Sequence, residues 1–128
     1  MYKNLTITGF LGMLTIIFGA FGAHALKEKL SPGAMNSFET AVKYQMYHVI
    51  FLLIINLSKE LPTSLKNKVS LVIFLGILLF SGSIYAIHLI NIPAKNIWFI
   101  TPIGGIFLIL RWLLTSIYFV KKVVNSNG

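Results

Sequence analysis

Apolar residues along the chain are gathered into long runs, which short polar connectors separate. The first run, residues 5–26, contains no Lys, Arg, Asp or Glu, and the third, 69–91, is equally free of formal charge. The last run, 97–120, carries one charge, at Arg111. A helix needs about 20 such residues to cross the roughly 30 Å hydrocarbon core of a bilayer. Each of these runs therefore predicts a transmembrane helix.

The second apolar run is shorter and begins with polar residues. Residues 41–57 are apolar apart from Lys43 and a polar first half, and a lysine near the start of a span can extend to the headgroups. Asn36 and Glu39 have the spacing of a capping box, which favours a helix start there. We therefore predict a helix over 37–58 after a break at residues 31–33. The expected fold is a single all-α domain over residues 1–128, an integral membrane bundle of four transmembrane helices.

The composition supports a lipid environment. Hydrophobic residues make up 56% of the chain and charged residues only 11%, whereas a soluble domain carries about a quarter charged residues. The formal charge of +8 comes from basic residues scattered through connectors and ends, so we expect contact with membrane lipid and no nucleic-acid binding. The chain has no cysteine, which excludes disulfides and thiolate chemistry.

Lysines at the ends of the spans predict the orientation. With a cytoplasmic amino terminus, the inner side would hold six of them and the outer side four: Lys3, Lys59, Lys66, Lys68, Lys121 and Lys122 against Lys27, Lys29, Lys43 and Lys95. The positive-inside rule then favours a multi-pass protein of the cell membrane with both termini cytoplasmic. Ala23-His24-Ala25 imitates a signal-peptide cleavage site, but the length and glycine content of the first run favour an uncleaved span.

Polar side chains fall at those ends of the four spans that meet on one side of an antiparallel bundle. Polar groups in hydrocarbon are costly unless they are paired, so they should face one another or a cavity. We predict a polar cluster there, whose candidate ligand-binding residues are His24, Tyr44, Gln45, His48, Ser81, Ser83, Tyr85, His88 and Thr101.

The three histidines of this cluster allow several interpretations. Three imidazoles can form a zinc site, but these have none of the local spacing of a metal motif. A proton-linked or ligand-binding role and ordinary interhelical hydrogen bonding are the alternatives. The chain contains no acidic pair, no G-x-S-x-G and no Gly-rich phosphate loop, so we expect no enzyme, no resident metal and no cofactor.

Small residues and one arginine complete the candidate features. Small side chains let helices approach closely, either within the chain or between copies in a homo-oligomer. The packing candidates are Gly12, Gly19, Gly22, Gly82, Gly104 and Gly105. Arg111 lies about 15 Å along the helix from Lys121, near mid-membrane, and no Asp or Glu lies in the apolar runs. Its guanidinium group either extends to the membrane surface or binds helix carbonyls. The alternatives are that it contacts an anion or lipid, or that it contacts another copy of the chain.

Four blocks resemble the signatures of one family: GAFGAHAL at 19–26, TAVKYQMYH at 40–48, FSGSIY at 80–85 and ITPIGG at 100–105. Together they are similar to the family called domain of unknown function 423, or uncharacterised protein family 0382, which is related to the eukaryotic transmembrane protein 256. The resemblance implies a small multi-pass protein of a bacterial plasma membrane and no settled activity. It marks as motif positions His24, Gln45, His48, Ser81, Ser83, Tyr85, Thr101 and Pro102. Similar family members carry a glycine in place of Arg111, which implies that this arginine is peculiar to this chain.

The sequence thus favours a membrane protein that binds or transports a small polar or amphiphilic ligand, such as a lipid headgroup or an ion, at the polar cluster. The alternative is a structural or partner-binding protein that oligomerises through glycine-rich helix faces. An intramembrane enzyme is a third and weaker hypothesis.

Overall fold

The computed structural model describes residues 2–128, which form helices joined by short connectors. Four elements are long and apolar enough to cross a membrane, which confirms the predicted four-span bundle. In chain order the elements are α1 (Tyr2–Phe21), a π-helical turn (Gly22–Leu26) that continues it, α2 (Pro32–Leu57), α3 (Thr63–Leu89), a short α4 (Ala94–Ile97) and α5 (Ile100–Ser126).

The start of α2 lies before the predicted start at residue 37. Ser31 is the N-cap, and its hydroxyl oxygen accepts a hydrogen bond from the backbone N–H of Ala34 at 3.2 Å. Pro32 occupies the first helical turn, where its missing N–H has no partner to lose. The Ser-Pro pair is therefore a helix start rather than the predicted break. Asn36 lies inside the helix and does not cap it.

The bounds of the other spans also shift. α3 begins at Thr63 rather than residue 69, so Lys66 lies on a helix and not in a connector. It ends where Asn91 adopts a φ of 61° and the N–H of Ile92 donates to the carbonyl of Ala86 at 3.2 Å. Asparagine tolerates this left-handed conformation, and a proline follows it, as is common after a helix end. The last span begins at Ile100 rather than 97, because the preceding residues form α4.

The long helices pack around a central pair. The share of the most apolar segment that is buried is 44% in α2 and 39% in α3, but only 17% in α1 and 11% in α5. α1 packs mainly against α2, and α5 packs mainly against α3. Much of the surface of α1 and α5 is therefore left to contact lipid.

Glycines set the spacing between these helices. Side chains of α2 pack at Gly12 and Gly19 on α1 and at Gly22 on the π-helical turn. On α5, Gly104 lies against the backbone of α3 at Leu79 and Phe80, and a Cβ there would lie 2.3 Å from the Phe80 nitrogen. Most of the predicted packing glycines thus serve contacts within the chain. Gly82 differs, because a Cβ there would meet only Leu78 of its own helix.

The helices run antiparallel, so the chain has two distinct ends. Asn4 reaches Asn56 and Asn67, and Lys122 reaches the carbonyl of Glu60 at 3.1 Å. The end with both termini is called here the lysine-rich end, and its lysines are Lys3, Lys59, Lys66, Lys68, Lys121 and Lys122. The predicted polar cluster lies towards the opposite end.

Candidate functional site

Gln45 joins three helices in the predicted polar cluster. It is 2% exposed on α2, and its Nε2 donates to the carbonyl of Leu11 on α1 at 2.9 Å. The Tyr85 hydroxyl of α3 donates to its Oε1 at 2.7 Å. Both ends of the amide are thus engaged, which holds α1, α2 and α3 in one register.

His48 links α2 to α5. Its Nε2 accepts a hydrogen bond from the indole Nε1 of Trp112 at 3.1 Å. The proton must then reside on Nδ1, which donates to the carbonyl of Tyr44 at 2.7 Å. Both ring nitrogens are used, so the imidazole is neutral and oriented in this arrangement. Sequence reasoning missed Trp112, although its depth on an antiparallel span matches that of His48.

The serines of α3 bind neighbouring helices as well. The Ser81 hydroxyl donates to the carbonyl of Ala41 on α2 at 2.7 Å. The Ser83 hydroxyl contacts the hydroxyl of Thr101 on α5 and also donates to the carbonyl of Phe80 at 2.9 Å. These groups satisfy one another and the backbone, which favours the interpretation of interhelical hydrogen bonding for this part of the cluster.

His24 and His88 lie apart from that network. His24 is exposed on the π-helical turn, and His88 is half-buried near the end of α3. Over residues 2–128, no three His, Asp or Glu side chains lie close enough together to hold a metal ion. The predicted cluster is therefore divided into local contacts, and the histidines do not converge.

A lateral groove of about 300 Å³ adjoins the cluster between α2, α3 and α5. Its walls are Tyr44, His48, Phe80, Gly105, Leu108, Ile109 and Trp112, and this site is called here the α2/α5 groove. Tyr44 packs edge-on against Phe80, with ring centroids 5.3 Å apart. Tyr44 and Ile109 are exposed, so the groove opens at the lipid-facing surface of the bundle.

Arg111 stands near the middle of α5 with an unusual environment. Its Nε and the hydroxyl of Thr115, one turn further along, are buried and have no hydrogen-bond partner among residues 2–128. An unpaired polar group in hydrocarbon is costly, so a partner from lipid or solvent would lower its free energy. The contact of Arg111 with an anion or lipid stays a prediction.

A second polar network, which sequence reasoning missed, lies at the lysine-rich end. Asn56 is fully buried, and its Nδ2 donates to the carbonyl of Leu52 at 2.9 Å and to the Ser70 hydroxyl at 2.8 Å. Its Oδ1 accepts a hydrogen bond from Asn4 at 3.1 Å. Lys66 is 6% exposed, and its Nζ donates to the backbone carbonyl of Asn56 at 3.1 Å. This lysine thus caps the negative end of α2 from the neighbouring helix.

Comparison with known proteins agrees with the motif blocks. Residues 18–105 match the family described as "Protein of unknown function (DUF423)". A "UPF0382 membrane protein" of Staphylococcus epidermidis is 40% identical over 120 residues, which cover 93% of this chain and 97% of the relative. A "UPF0382 membrane protein" of Haemophilus influenzae is 37% identical, with 87% and 88% covered, and "UPF0382 membrane protein YwdK" of Bacillus subtilis is 32% identical, with 85% and 89% covered.

No solved structure matches the chain. The family match covers more than half of the residues, and it includes the segments that carry Gln45, His48, Ser81, Ser83 and Thr101. The relatives span nearly the same length and are membrane proteins of bacteria. The chain belongs to the DUF423 family, also called UPF0382, of small bacterial membrane proteins with several apolar helices.

Proposed function

We propose that this protein binds the hydrocarbon part of a membrane amphiphile in the α2/α5 groove. The observation that carries this proposal is a groove between three spanning helices, lined by Tyr44, Phe80 and Trp112, that opens sideways to lipid. Aromatic walls of this kind provide a large apolar contact area and a polar atom at the rim. Tyr44 is exposed at the groove, so its hydroxyl can donate a hydrogen bond to an oxygen of the bound molecule.

An amphiphile fits the site better than a free ion. Gln45, His48 and Ser81 already form hydrogen bonds to neighbouring helices. Few polar groups therefore remain that could coordinate an ion. A hydrocarbon chain needs only apolar walls, which the groove has. Transport of the amphiphile stays a prediction from the sequence.

Filling the groove tests this function. At Gly105 a Cβ would meet the Phe80 ring at 3.6 Å, which is ordinary contact, so Gly105→Leu should extend into the groove without moving the helices. We expect the amount of amphiphile that copurifies in mild detergent, measured by native mass spectrometry, to fall about tenfold, which corresponds to about 1.4 kcal/mol. Brominated phospholipid should also quench Trp112 less in Gly105→Leu, measured in a Trp98→Phe background.

The matched control is Gly9→Leu, because a Cβ at Gly9 meets nothing within 4 Å. This variant adds the same side chain on another helix and should keep both occupancy and quenching. Circular dichroism melting would check that both variants remain folded. Equal occupancy and quenching in the parent protein and in Gly105→Leu would contradict a bound chain at this groove.

A structural role is the second candidate function. It is favoured by the mutual pairing of the cluster side chains, of which Ser83 and Thr101 are an example. Gly12 and Gly19 face Val49 and Val42 of the same chain, so their surfaces support internal packing. Assembly of copies through glycine faces stays a prediction, and a monomer in native detergent would count against it.

The cell membrane with both termini cytoplasmic is the location we infer. Six lysines at the lysine-rich end against four at the other support this orientation. Because the chain has no cysteine, Lys59→Cys and Lys95→Cys can each carry a single thiol. We expect a membrane-impermeant maleimide to label Lys95→Cys on intact cells, and Lys59→Cys only after permeabilisation. If only Lys59→Cys were labelled on intact cells, the orientation would be opposite to the one we infer, with both termini outside.

A further inference from the structure

Another groove follows α1 and α3, and its lining residues come from α1, α2 and α3. One part, of about 420 Å³, is lined by Lys3, Asn4, Ile7, Asn67, Leu71 and Phe74. A second part, of about 320 Å³, continues past Ile7 and Phe74 to Gln45 and Tyr85. Both parts are lined by Ile7 and Phe74, so they are neighbours along the two helices, and together they are called here the α1/α3 groove.

The outer end of this groove is polar and positively charged. Lys3 and Asn67 are exposed there, so the Lys3 ammonium and the Asn67 amide N–H groups can donate hydrogen bonds to an anion. Asn4 holds Asn67 in place, since its Nδ2 donates to the Asn67 Oδ1 at 2.9 Å. The six lysines of this end face a single acidic residue, Glu60, which leaves a strong excess of positive charge.

The rest of the groove is apolar over the depth of one leaflet. From Asn4 to Leu14 the chain rises about 15 Å along α1, which is half of the roughly 30 Å hydrocarbon core. Ile7, Leu11 and Phe74 line this stretch. Gln45 and Tyr85 line the deep part of the groove, where the Tyr85 hydroxyl donates to the Gln45 Oε1 at 2.7 Å. A cationic rim beside an apolar groove of this length is complementary to an anionic lipid, because the rim matches the headgroup and the apolar wall matches an acyl chain.

We propose that the α1/α3 groove binds an anionic phospholipid, with its phosphate at Lys3 and Asn67 and one acyl chain along Ile7, Leu11 and Phe74. The lipid uses both parts of the groove, whereas a free phosphate would use only the rim and a neutral lipid would leave the lysine charge uncompensated. The residues that line this site are all different from those that line the α2/α5 groove, and the proposal does not depend on the function proposed for that groove.

The test uses the full chain in nanodiscs of mixed phosphatidylcholine and phosphatidylglycerol, with bound lipid measured by native mass spectrometry. Phosphatidylglycerol should be bound in preference to phosphatidylcholine. Lys3→Gln should lower this preference about fivefold, the factor that corresponds to about 1 kcal/mol for one lysine near an anionic lipid. Equal binding of the two lipids by the parent protein would overturn the proposal.

The matched control is Lys59→Gln, which removes the same charge from the same end of the bundle but does not line the groove. It should leave the preference unchanged, and an equal loss in both variants would show diffuse attraction instead of a site. Glycerophosphoglycerol, the headgroup without chains, should compete poorly. If it displaces phosphatidylglycerol as well as the intact lipid does, the apolar wall takes no part and the proposal fails.

Discussion

Gly104→Ala is expected to destabilise the bundle by about 3 kcal/mol, the upper end of the usual cost of overpacking. A Cβ at this position would lie 2.3 Å from the backbone nitrogen of Phe80 and 2.8 Å from the backbone carbon of Leu79. Backbone atoms cannot rotate aside as a side chain can, so α5 has to move away from α3. The measurement is unfolding of the purified protein in detergent by added SDS, followed by tryptophan fluorescence.

The control for this prediction is the adjacent glycine. Gly105→Ala places its Cβ 3.6 Å from the Phe80 ring, at a distance of ordinary contact. Its stability should stay within about 0.5 kcal/mol of the parent protein. If the two alanine variants unfolded at the same SDS fraction, close backbone approach at Gly104 would not be what holds α5 to α3.

Asn56→Ala is expected to lower the free energy of unfolding by about 2 kcal/mol. The substitution removes two hydrogen bonds that the amide donates, to Leu52 and Ser70, and one that it accepts from Asn4. Interhelical hydrogen bonds in membranes contribute about 0.6 kcal/mol on average and up to about 1.7 kcal/mol, and the buried partners left behind add a desolvation cost. The same SDS unfolding experiment measures the effect.

Asn67→Ala is the comparison for this site. Asn67 is exposed, and its side chain takes part in one hydrogen bond, with Asn4. Because water or headgroups can replace that partner, the loss should be below about 0.5 kcal/mol. A larger loss for Asn67→Ala than for Asn56→Ala would mean that burial does not determine the strength of this network.

The two grooves divide the molecule into surfaces with different chemistry. The α2/α5 groove is aromatic and lies near Tyr44 and Trp112, whereas the α1/α3 groove joins a lysine to an apolar wall. The α2/α5 groove lies beside α5 and the α1/α3 groove lies beside α1, and these are the two weakly buried helices. Peripheral helices that cover a central pair incompletely leave lateral openings, and in a membrane lipid is the molecule that reaches them.

Part of the polar cluster could be predicted from depth alone. Antiparallel spans bring Gln45 and Tyr85 to one level, and the structure joins them at 2.7 Å. The other partners could not be predicted, because they are backbone carbonyls: Gln45 also binds the carbonyl of Leu11, and Ser81 binds that of Ala41. Every residue of a helix has a carbonyl, so sequence carries no sign of which one a neighbouring side chain will meet.

The network around Asn56 was missed for a different reason. Residues 59–68 read as a polar connector, although a helix over Thr63–Leu89 includes Lys66 in its first turn. Once a lysine packs against the end of α2, its charge is compensated by the helix carbonyls and it can be buried. Hydropathy alone assigns such a lysine to water.

The sequence by itself determined the number of spans, their order and their antiparallel arrangement, because each apolar run must hide its backbone polar groups in a helix that crosses the lipid. Tertiary structure alone decided which faces meet. Gly104 against Phe80 brings α5 onto α3, and Trp112 then reaches His48 on α2. The rotation of each helix depends on many small contacts with its neighbours, so the division of the cluster into local pairs and the place of both grooves follow from packing and not from periodicity.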